Sequence, residues 1–540
     1  MIQRVSEWVA ATSFEDIPPD VRIQGKAQFL DSIAAICAGS RSAAGQKLYA
    51  AASRTPSEGP CTLLPHGDRW HWSDAIYLHA AFLNALELDN FNLMGHMSQS
   101  AFSVSLAIGE LLDATFEQVL RAQILAVELS GRLAVYNATG PQQGHMRAFV
   151  HRCGGAIAAG CLLGLSPRQL SRALSIALSM PEFPLYPAAF SPETKVICTS
   201  APSVEGCRAA LIAAEGFDGA EDILEHPVGF WEYFSYMDQI PDLWENVGNT
   251  WSTSAFSVKN QASCAYSQAA VCAALAIRED SAFDLAAIKR IHVDTSMLSV
   301  LMEAFSHPHL GAGITPVNTQ FSTRRNVAAA FLHGPLTGEF YTPEVFEARK
   351  DSIATLAEEV QILHDWNMTI HLARGFDAGL KGGGKPGLLG MGQAGKTLAV
   401  MKKAFGSRKL IGLGDLGPLF LKVKTADRRY FFRRYWRGMR PRLPFFSRAA
   451  REAWRSYEDD ISAIRFQLSA RVRVELQDGR KLEAEQLIPP GFAGDPKKLD
   501  VARKKYHREV EPVMGREKAD LLAEKVDGEE KWKVRGLLGE

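Results

Sequence analysis

The stretch that organises this chain is residues 84–100, which read NALELDNFNLMGHMSQS. An apolar helical pattern ends there in two carboxylates, Glu87 and Asp89, and a second helix is predicted to begin around Ser98. His96 lies in the loop between the two helices. Free amides at a helix N-terminus favour anions, and histidine changes charge easily near neutral pH. The stretch therefore indicates either a reaction site or an ordinary helix junction with solvated carboxylates and a capping histidine.

Length and composition exclude several classes of protein. A chain of 540 residues is too long for one compact core, so two domains are expected. Lys+Arg and Asp+Glu are 60 each, so net charge gives no indication of a nucleic-acid partner. The eight cysteines form no C-x-x-C pair, the N-terminus lacks an apolar signal segment, and no uncharged apolar run reaches the roughly 18–20 residues of a membrane span. We predict a cytoplasmic protein with reduced thiols.

The periodicity predicts a mostly α protein with a smaller α+β domain. Residues 21–275 carry small and apolar side chains at helical spacing, which indicates closely packed helices. Residues 288–294 and 360–363 are predicted strands. Residues 472–487 are predicted to form a hairpin with a type I′ turn at Asp478-Gly479.

These patterns predict a large helical domain at residues 1–255, completed by residues 492–540. An α+β lid domain is predicted at residues 256–491, interrupted by an insertion at residues 382–456. The insertion contains a basic and aromatic run at residues 428–442. Such a run is typical of contact with a membrane surface, a nucleic acid or a partner protein, or of a segment that buries its rings against its own domain.

No motif indicates a cofactor or a metal ion. Residues 390–397, GMGQAGKT, satisfy the phosphate-loop pattern, but the preceding residues 383–389 carry glycines, a lysine and a proline and make a poor strand. His145 and His151 lie six residues apart instead of four, so they do not form a metal-binding pair on one helix face. We therefore predict neither a cofactor nor a metal.

Two lysines, Lys195 and Lys259, lie in apolar surroundings. A lone lysine of this kind usually keeps its ammonium in solvent while its stem packs on apolar surface. Two such lysines would also suit a pocket for a di- or tricarboxylate, because a desolvated carboxylate needs a cation.

Four segments, in order and at matching spacing, carry a resemblance to a known family. They are LDSIAAICAG at residues 30–39, HAAFLNALELDN at 79–90, KNQASC at 259–264 and NTQFS at 318–322. The chain resembles the MmgE/PrpD family, which includes 2-methylcitrate dehydratase, cis-aconitate decarboxylase and iminodisuccinate epimerase. The resemblance covers residues 5–375 and 460–535 and leaves the insertion outside the family pattern.

The resemblance implies catalytic roles for His96, His145, Lys195 and Lys259, and substrate contacts for Glu87, Asp89, Ser322 and Arg325. His96 would be the general acid or base, oriented by the two carboxylates. The lysines would hold substrate carboxylates and stabilise the enediolate charge. His151 is close enough in sequence to replace His145 as the second histidine, and the choice stays open.

Several positions depart from the family pattern. Glu87 and Asn90 replace two of the carboxylates in the family's D-x-D-D pattern, and Phe91 follows where a small residue is usual. Arg325 stands where the family has a tyrosine, and an added guanidinium indicates an altered substrate.

The resemblance implies a cofactor-independent lyase or isomerase that moves a proton next to a carboxylate of a small di- or tricarboxylate. Dehydration of a 2-methylcitrate-like substrate is the first expectation, with decarboxylation or epimerisation as alternatives. A homodimer without a nucleic-acid partner is implied. The opposing hypothesis is a re-purposed, non-catalytic relative whose insertion binds a partner or a membrane surface.

Overall fold

The computed structural model describes residues 1–93, 95–136, 148–182, 188, 192–234, 247–306, 313–379, 413–439 and 460–537. Helices α1–α10 are Ile2–Ala11, Pro19–Ser40, Ala43–Ala52, Trp72–Asn84, Ser98–Leu111, Phe116–Tyr136, Ala148–Leu162, Pro167–Ser179, Ser200–Ala214 and Phe230–Phe234. Helices α11–α20 are Gln268–Arg278, Met297–Ser306, Pro316–Gln320, Thr323–His333, Pro343–Glu358, Trp366–Gly379, Leu413–Leu421, Thr425–Met439, Lys498–Met514 and Arg516–Asp527. Strands β1–β8 are Cys61–Thr62, Arg69–Trp70, Phe91–Asn92, Phe256–Ser257, Ile288–Thr295, Val360–His364, Ala470–Leu476 and Lys481–Gln486.

The first nine helices surround one apolar core, as the small and apolar side chains at helical spacing predicted. The helices α2 and α4 approach so closely that a Cβ on Gly39 would lie 1.9 Å from the carbonyl oxygen of Phe82. The C-terminal helices return to this core, because Tyr506 on α19 and Leu522 on α20 belong to the same buried cluster. The prediction of a mostly helical chain is confirmed.

The largest sheet lies in the second half of the chain and has four strands in the order β6-β5-β7-β8. Strands β5 and β6 are parallel, and the other two pairs are antiparallel. The buried side chains of β5 and β7, among them Val293 and Val472, share a second apolar core with α11, α14 and α15. Ala38, Ala85 and Val196, from the first half of the chain, also belong to this second core. The division at residue 255 stays a prediction.

The predicted hairpin is present, but its predicted turn type is wrong. A type I′ turn needs positive φ at both central residues. Gly479 has a φ of +88°, whereas Asp478 is not among the described residues with positive φ. The Asp478 carboxylate instead accepts a hydrogen bond from the backbone N–H of Arg480 at 3.0 Å. This local acceptor favours an Asx turn, so the loop takes a different conformation.

The described part of the insertion is a pair of helices, α17 and α18, that packs on α16. The Phe431 ring lies 5.5 Å from the Trp366 ring, and the Arg374 guanidinium lies 2.5 Å from the Asp427 carboxylate. Here the Phe431 ring packs against its own domain, as one of the two interpretations of this run has it, whereas the Phe432 ring is 41% exposed. The phosphate-loop pattern at residues 390–397 lies outside the described residues. In the part of the chain that the structure describes, no helix combines the length and apolarity needed to cross a bilayer.

Candidate active site

A two-stranded ladder brings Lys259 to the loop that follows α4. Phe91 of β3 pairs with Ser257 of β4 in antiparallel register. Asp89 lies two residues before Phe91, and Lys259 lies two residues after Ser257, so the register makes these two face each other. The Lys259 Nζ atom lies 3.2 Å from Asp89 Oδ1.

The loop itself is held in a strained conformation by donors from distant elements. Glu87 has a φ of +49°, a left-handed conformation that costs a non-glycine residue roughly 1–3 kcal/mol. Within residues 84–88, three backbone carbonyls accept hydrogen bonds from the side chains of Lys195, Gln320 and Lys505. These donors satisfy carbonyls that the end of α4 leaves unpaired, and they fix the direction in which Glu87 points.

Four charged side chains form a completely buried cluster. The Lys195 ammonium lies 2.6 Å from Glu87 Oε1, and the Lys259 ammonium lies 2.8 Å from Glu87 Oε2. Glu87, Asp89, Lys195 and Lys259 each have 0% side-chain exposure. Two negative and two positive groups compensate each other, which is the condition under which a protein retains buried charges.

His96 joins this cluster through its Nδ1 atom, which lies 2.8 Å from Asp89 Oδ2 and 3.5 Å from Lys259 Nζ. Burial alone would raise the pKa of Asp89, but His96 and Lys259 together hold that pKa well below its usual range. Burial lowers the pKa of a lysine, yet Asp89 and Glu87 raise that of Lys259 above its ordinary value. When Nδ1–H donates to the Asp89 carboxylate, Nε2 is the ring nitrogen that remains for proton exchange with another group. The His96 side chain is 16% exposed, so among these five residues it is the one that solvent or a substrate can reach.

Two neutral amides, Asn84 and Gln99, connect the parts of the cluster and were missed by sequence reasoning. The Gln99 Nε2 atom donates to Asp89 Oδ2 and to Asn84 Oδ1, both at 3.1 Å. The Asn84 Nδ2 atom donates to the backbone carbonyl of Lys195 at 2.8 Å. Both residues lie inside the stretch quoted first, but nothing in a local pattern distinguishes a buried amide that bridges two segments from one in a loop.

A second buried ion pair stabilises the loop that carries Glu87 and Asp89. The Lys505 ammonium lies 2.8 Å from Asp31 Oδ1, and both side chains are 0% exposed. The Asn90 Nδ2 atom donates to Asp31 Oδ2 at 3.1 Å, and Ser98 Oγ donates to Asn90 Oδ1 at 2.6 Å. Asn90, which departs from the family pattern, is therefore a structural link between α2, the loop and the start of α5.

Ser322 and Arg325 follow Phe321, which is the residue of this segment that lies next to the charged cluster. Ser322 caps α14, because its Oγ accepts from the backbone N–H of Arg325 at 3.3 Å. The Arg325 guanidinium donates to Asn318 Oδ1 at 2.5 Å. The Lys195 ammonium lies 5.5 Å from the centre of the Phe321 ring. Substrate contacts by Ser322 and Arg325 stay predictions.

The second histidine also stays a prediction. His145 lies outside the described residues. His151 lies on α7, buried, with its Nδ1 atom 3.2 Å from the Oγ of Ser100. Ser100 belongs to the first turn of α5, which begins at Ser98, two residues after His96, so His151 contacts that turn.

Glu87, Asp89 and His96 offer ligand atoms that all lie within 4.8 Å of one another. A metal ion could use such a set, but the Lys195 and Lys259 ammonium groups already lie 2.6–3.2 Å from these carboxylates. Two cations in contact with the same oxygens oppose the binding of a third. The donor set therefore fits acid–base chemistry better than metal chemistry.

Comparison with known protein families gives two matches. The MmgE/PrpD N-terminal domain matches residues 3–241, and the MmgE/PrpD C-terminal domain matches residues 262–374. The chain belongs to the MmgE/PrpD family.

Among characterised proteins, the chain is similar to cis-aconitate decarboxylases. That of Aspergillus terreus is 26% identical over 280 residues, which are 48% of this chain and 56% of the relative. The cis-aconitate decarboxylase-like protein oryM of Aspergillus oryzae is 25% identical over 238 residues, covering 41% and 48%. The human cis-aconitate decarboxylase is 28% identical over 170 residues, covering 29% and 35%. The chain thus spans about half the length of the curated relatives it matches, or less.

Proposed function

We propose that this protein is a cofactor-independent lyase that moves a proton next to a carboxylate group of a small di- or tricarboxylate. The proposal rests on one observation. The His96 side chain is partly exposed, whereas the four charged side chains of the cluster beside it are completely buried. A buried, preorganised set of charges behind one accessible imidazole is the arrangement that general acid–base catalysis needs. Family membership agrees with this proposal.

In the proposed reaction, His96 Nε2 takes or gives the proton. Asp89 holds the imidazole in one orientation and stabilises it when it is protonated, as a buried carboxylate does for other catalytic histidines. The Lys259 ammonium, 3.5 Å from His96 Nδ1, adds positive charge beside the imidazole, which favours the negative charge that develops on the carboxylate oxygens of an enediolate. The sequence suggested direct contact between the lysines and the substrate. Their buried ammonium groups contact Glu87 and Asp89 instead, so we assign them an electrostatic role.

Decarboxylation is the reaction that we propose first, because the similar proteins named above are cis-aconitate decarboxylases or a protein like them. In this reaction the bond between carbon and a carboxylate breaks and carbon dioxide leaves. The electron pair stays on the substrate, and His96 protonates that carbon. Dehydration of a 2-methylcitrate-like substrate, the first expectation from the sequence, becomes the second candidate, and epimerisation the third. We further propose a homodimer, which light scattering can test.

The proposal is tested by incubating the purified protein separately with cis-aconitate and with 2-methylcitrate and following both by NMR. We expect loss of carbon dioxide from the first substrate. We expect His96→Gln to stay folded and to lower turnover by roughly 10²–10⁴-fold, the usual contribution of a general acid or base. A folded wild-type protein that consumes neither substrate would favour the non-catalytic alternative. A loss of only a few-fold in His96→Gln would move the proton transfer to another group, with His145 the next residue to test.

A further inference from the structure

The insertion exposes an apolar tip at the junction of α17 and α18. Leu421 is 87% exposed, Phe420 53% and Phe432 41%. The rings of Phe420 and Phe432 lie 5.8 Å apart and form one patch, and Leu421 follows Phe420 directly in the chain. Large apolar side chains that are exposed together mark an interaction site more often than single ones do.

The opposite side of the same helix pair is fixed to the protein. Leu419 and Val423 are buried in a small cluster with Ile370 of α16. The Tyr430 hydroxyl donates to the Asp377 carboxylate. The tip is therefore presented in a defined orientation, with its apolar residues directed away from the contacts on α16.

Exposed basic side chains lie next to the apolar tip in the chain. They are Lys422, Lys424, Arg429 and Arg433. The acidic residue of the same surface helix, Asp427, is compensated by Arg374 at 2.5 Å. The exposed face is consequently both apolar and positively charged. Arg429, Phe432 and Arg433 lie three and four positions apart, so they share one face of α18.

We propose that this tip, Phe420, Leu421 and Phe432 with the four basic residues next to it in the chain, binds the surface of an anionic lipid bilayer. Apolar side chains at a helix tip enter the boundary between headgroups and acyl chains, and Lys and Arg meet the anionic headgroups. A nucleic acid would satisfy the positive charge but would leave the aliphatic Leu421 exposed to water. A second copy would bring two positive tips together, which like-charge repulsion opposes.

The test is sedimentation of the full-length protein with two kinds of vesicle, phosphatidylcholine alone and phosphatidylcholine with phosphatidylserine. We expect binding to the anionic vesicles and a decrease with added salt, because salt screens the charges. Arg429→Gln and Arg433→Gln should each weaken partitioning about fivefold. The double variant Phe420→Ser/Leu421→Ser should lose binding and keep the wild-type melting temperature, since both side chains are exposed.

Phe217→Ser is the matched control, because Phe217 is 63% exposed on another part of the surface. This variant should bind vesicles as the wild type does. Wild-type protein that does not sediment with anionic vesicles would overturn the proposal, and so would equal binding by the double variant. A self-association or protein contact that ignores vesicles but is lost in the double variant would also overturn it, and would make the tip a protein-binding surface.

Discussion

Lys259 contacts two protein carboxylates, and this changes what its replacement is expected to do. The family resemblance implied that Lys259 holds a substrate carboxylate, and on that basis Lys259→Met would mainly weaken substrate binding. In the structure the substitution also leaves Glu87 and Asp89 without the ammonium that lies 2.8 and 3.2 Å from them. Removing one partner of a buried ion pair costs about 3–5 kcal/mol. We therefore expect a lower free energy of unfolding, measured by urea denaturation.

The same argument applies to Lys195. Lys195→Met should be destabilising for the same reason, because its ammonium lies 2.6 Å from Glu87. Adding Glu87→Gln to Lys195→Met should recover part of the stability, since the carboxylate left uncompensated is then neutral. A Lys259→Met protein as stable as the wild type would contradict the buried-cluster account.

The lowered pKa of Asp89 predicts how stability depends on pH. The pKa of aspartate in an unfolded chain is about 3.9. In the folded protein burial raises the pKa of Asp89, but His96 and Lys259 outweigh burial and hold the pKa below that value. The unfolded chain therefore binds the proton more tightly. The stabilising contribution of ionised Asp89 is fully present above the unfolded pKa and is lost as pH falls through the folded one.

Urea denaturation at successively lower pH measures this contribution. We expect Asp89→Asn to be less stable than the wild type near neutral pH, and to lose less further stability as the solution is acidified below about pH 4. Parallel stability curves for the two proteins in the acid range would show that Asp89 is not held ionised by its neighbours.

Helix α19 reaches from the C-terminal part of the chain to the loop that carries the cluster. Lys505 is buried and donates to the backbone carbonyl of Leu88, directly between Glu87 and Asp89. We expect Lys505→Met to lower both stability and turnover, because the loop loses a donor and Asp31 loses its cation. Lys504→Met is the control, since Lys504 is exposed on the same helix. Unchanged turnover in a Lys505→Met protein would show that this contact does not position the loop.

The helices and the strands of the four-stranded sheet were predictable because each follows from a local pattern. The alternation around Val472 and Val474 predicted β7, and only the turn differed, because the Asp478 carboxylate supplies its own backbone contact. The family resemblance suggested that Lys195 and Lys259 serve one site, but it did not suggest that both contact Glu87. The roles of Asn84, Gln99 and Lys505 could not be read from the sequence. Their contacts join segments up to 417 positions apart, and no local pattern records which distant segment a side chain will meet.

Removal of the insertion tests whether the protein folds and catalyses without the proposed lipid-binding tip. Replacing residues 382–456 with a short Gly/Ser linker should leave turnover largely intact, because the contacts of the charged cluster described above, among the residues that the structure describes, come from other elements. It would uncover Ile370, which is completely buried beneath the helix pair. Exposing one such side chain costs about 1.5–3 kcal/mol, so we expect a lower melting temperature, measured by calorimetry. A folded but inactive deletion protein would place part of the insertion in the active site.

The most direct measurement for the whole molecule is solvent deuterium incorporation, followed by NMR in deuterated water with a panel of di- and tricarboxylates that includes cis-aconitate. It detects proton transfer next to a carboxylate in all three candidate reactions, decarboxylation, dehydration and epimerisation. We predict deuterium in the product or the recovered substrate with the wild-type protein, and a loss of roughly 10²–10⁴-fold in rate with folded His96→Gln. Incorporation at the same rate in both proteins, or no incorporation by a folded wild-type protein that binds the compounds, would contradict the account.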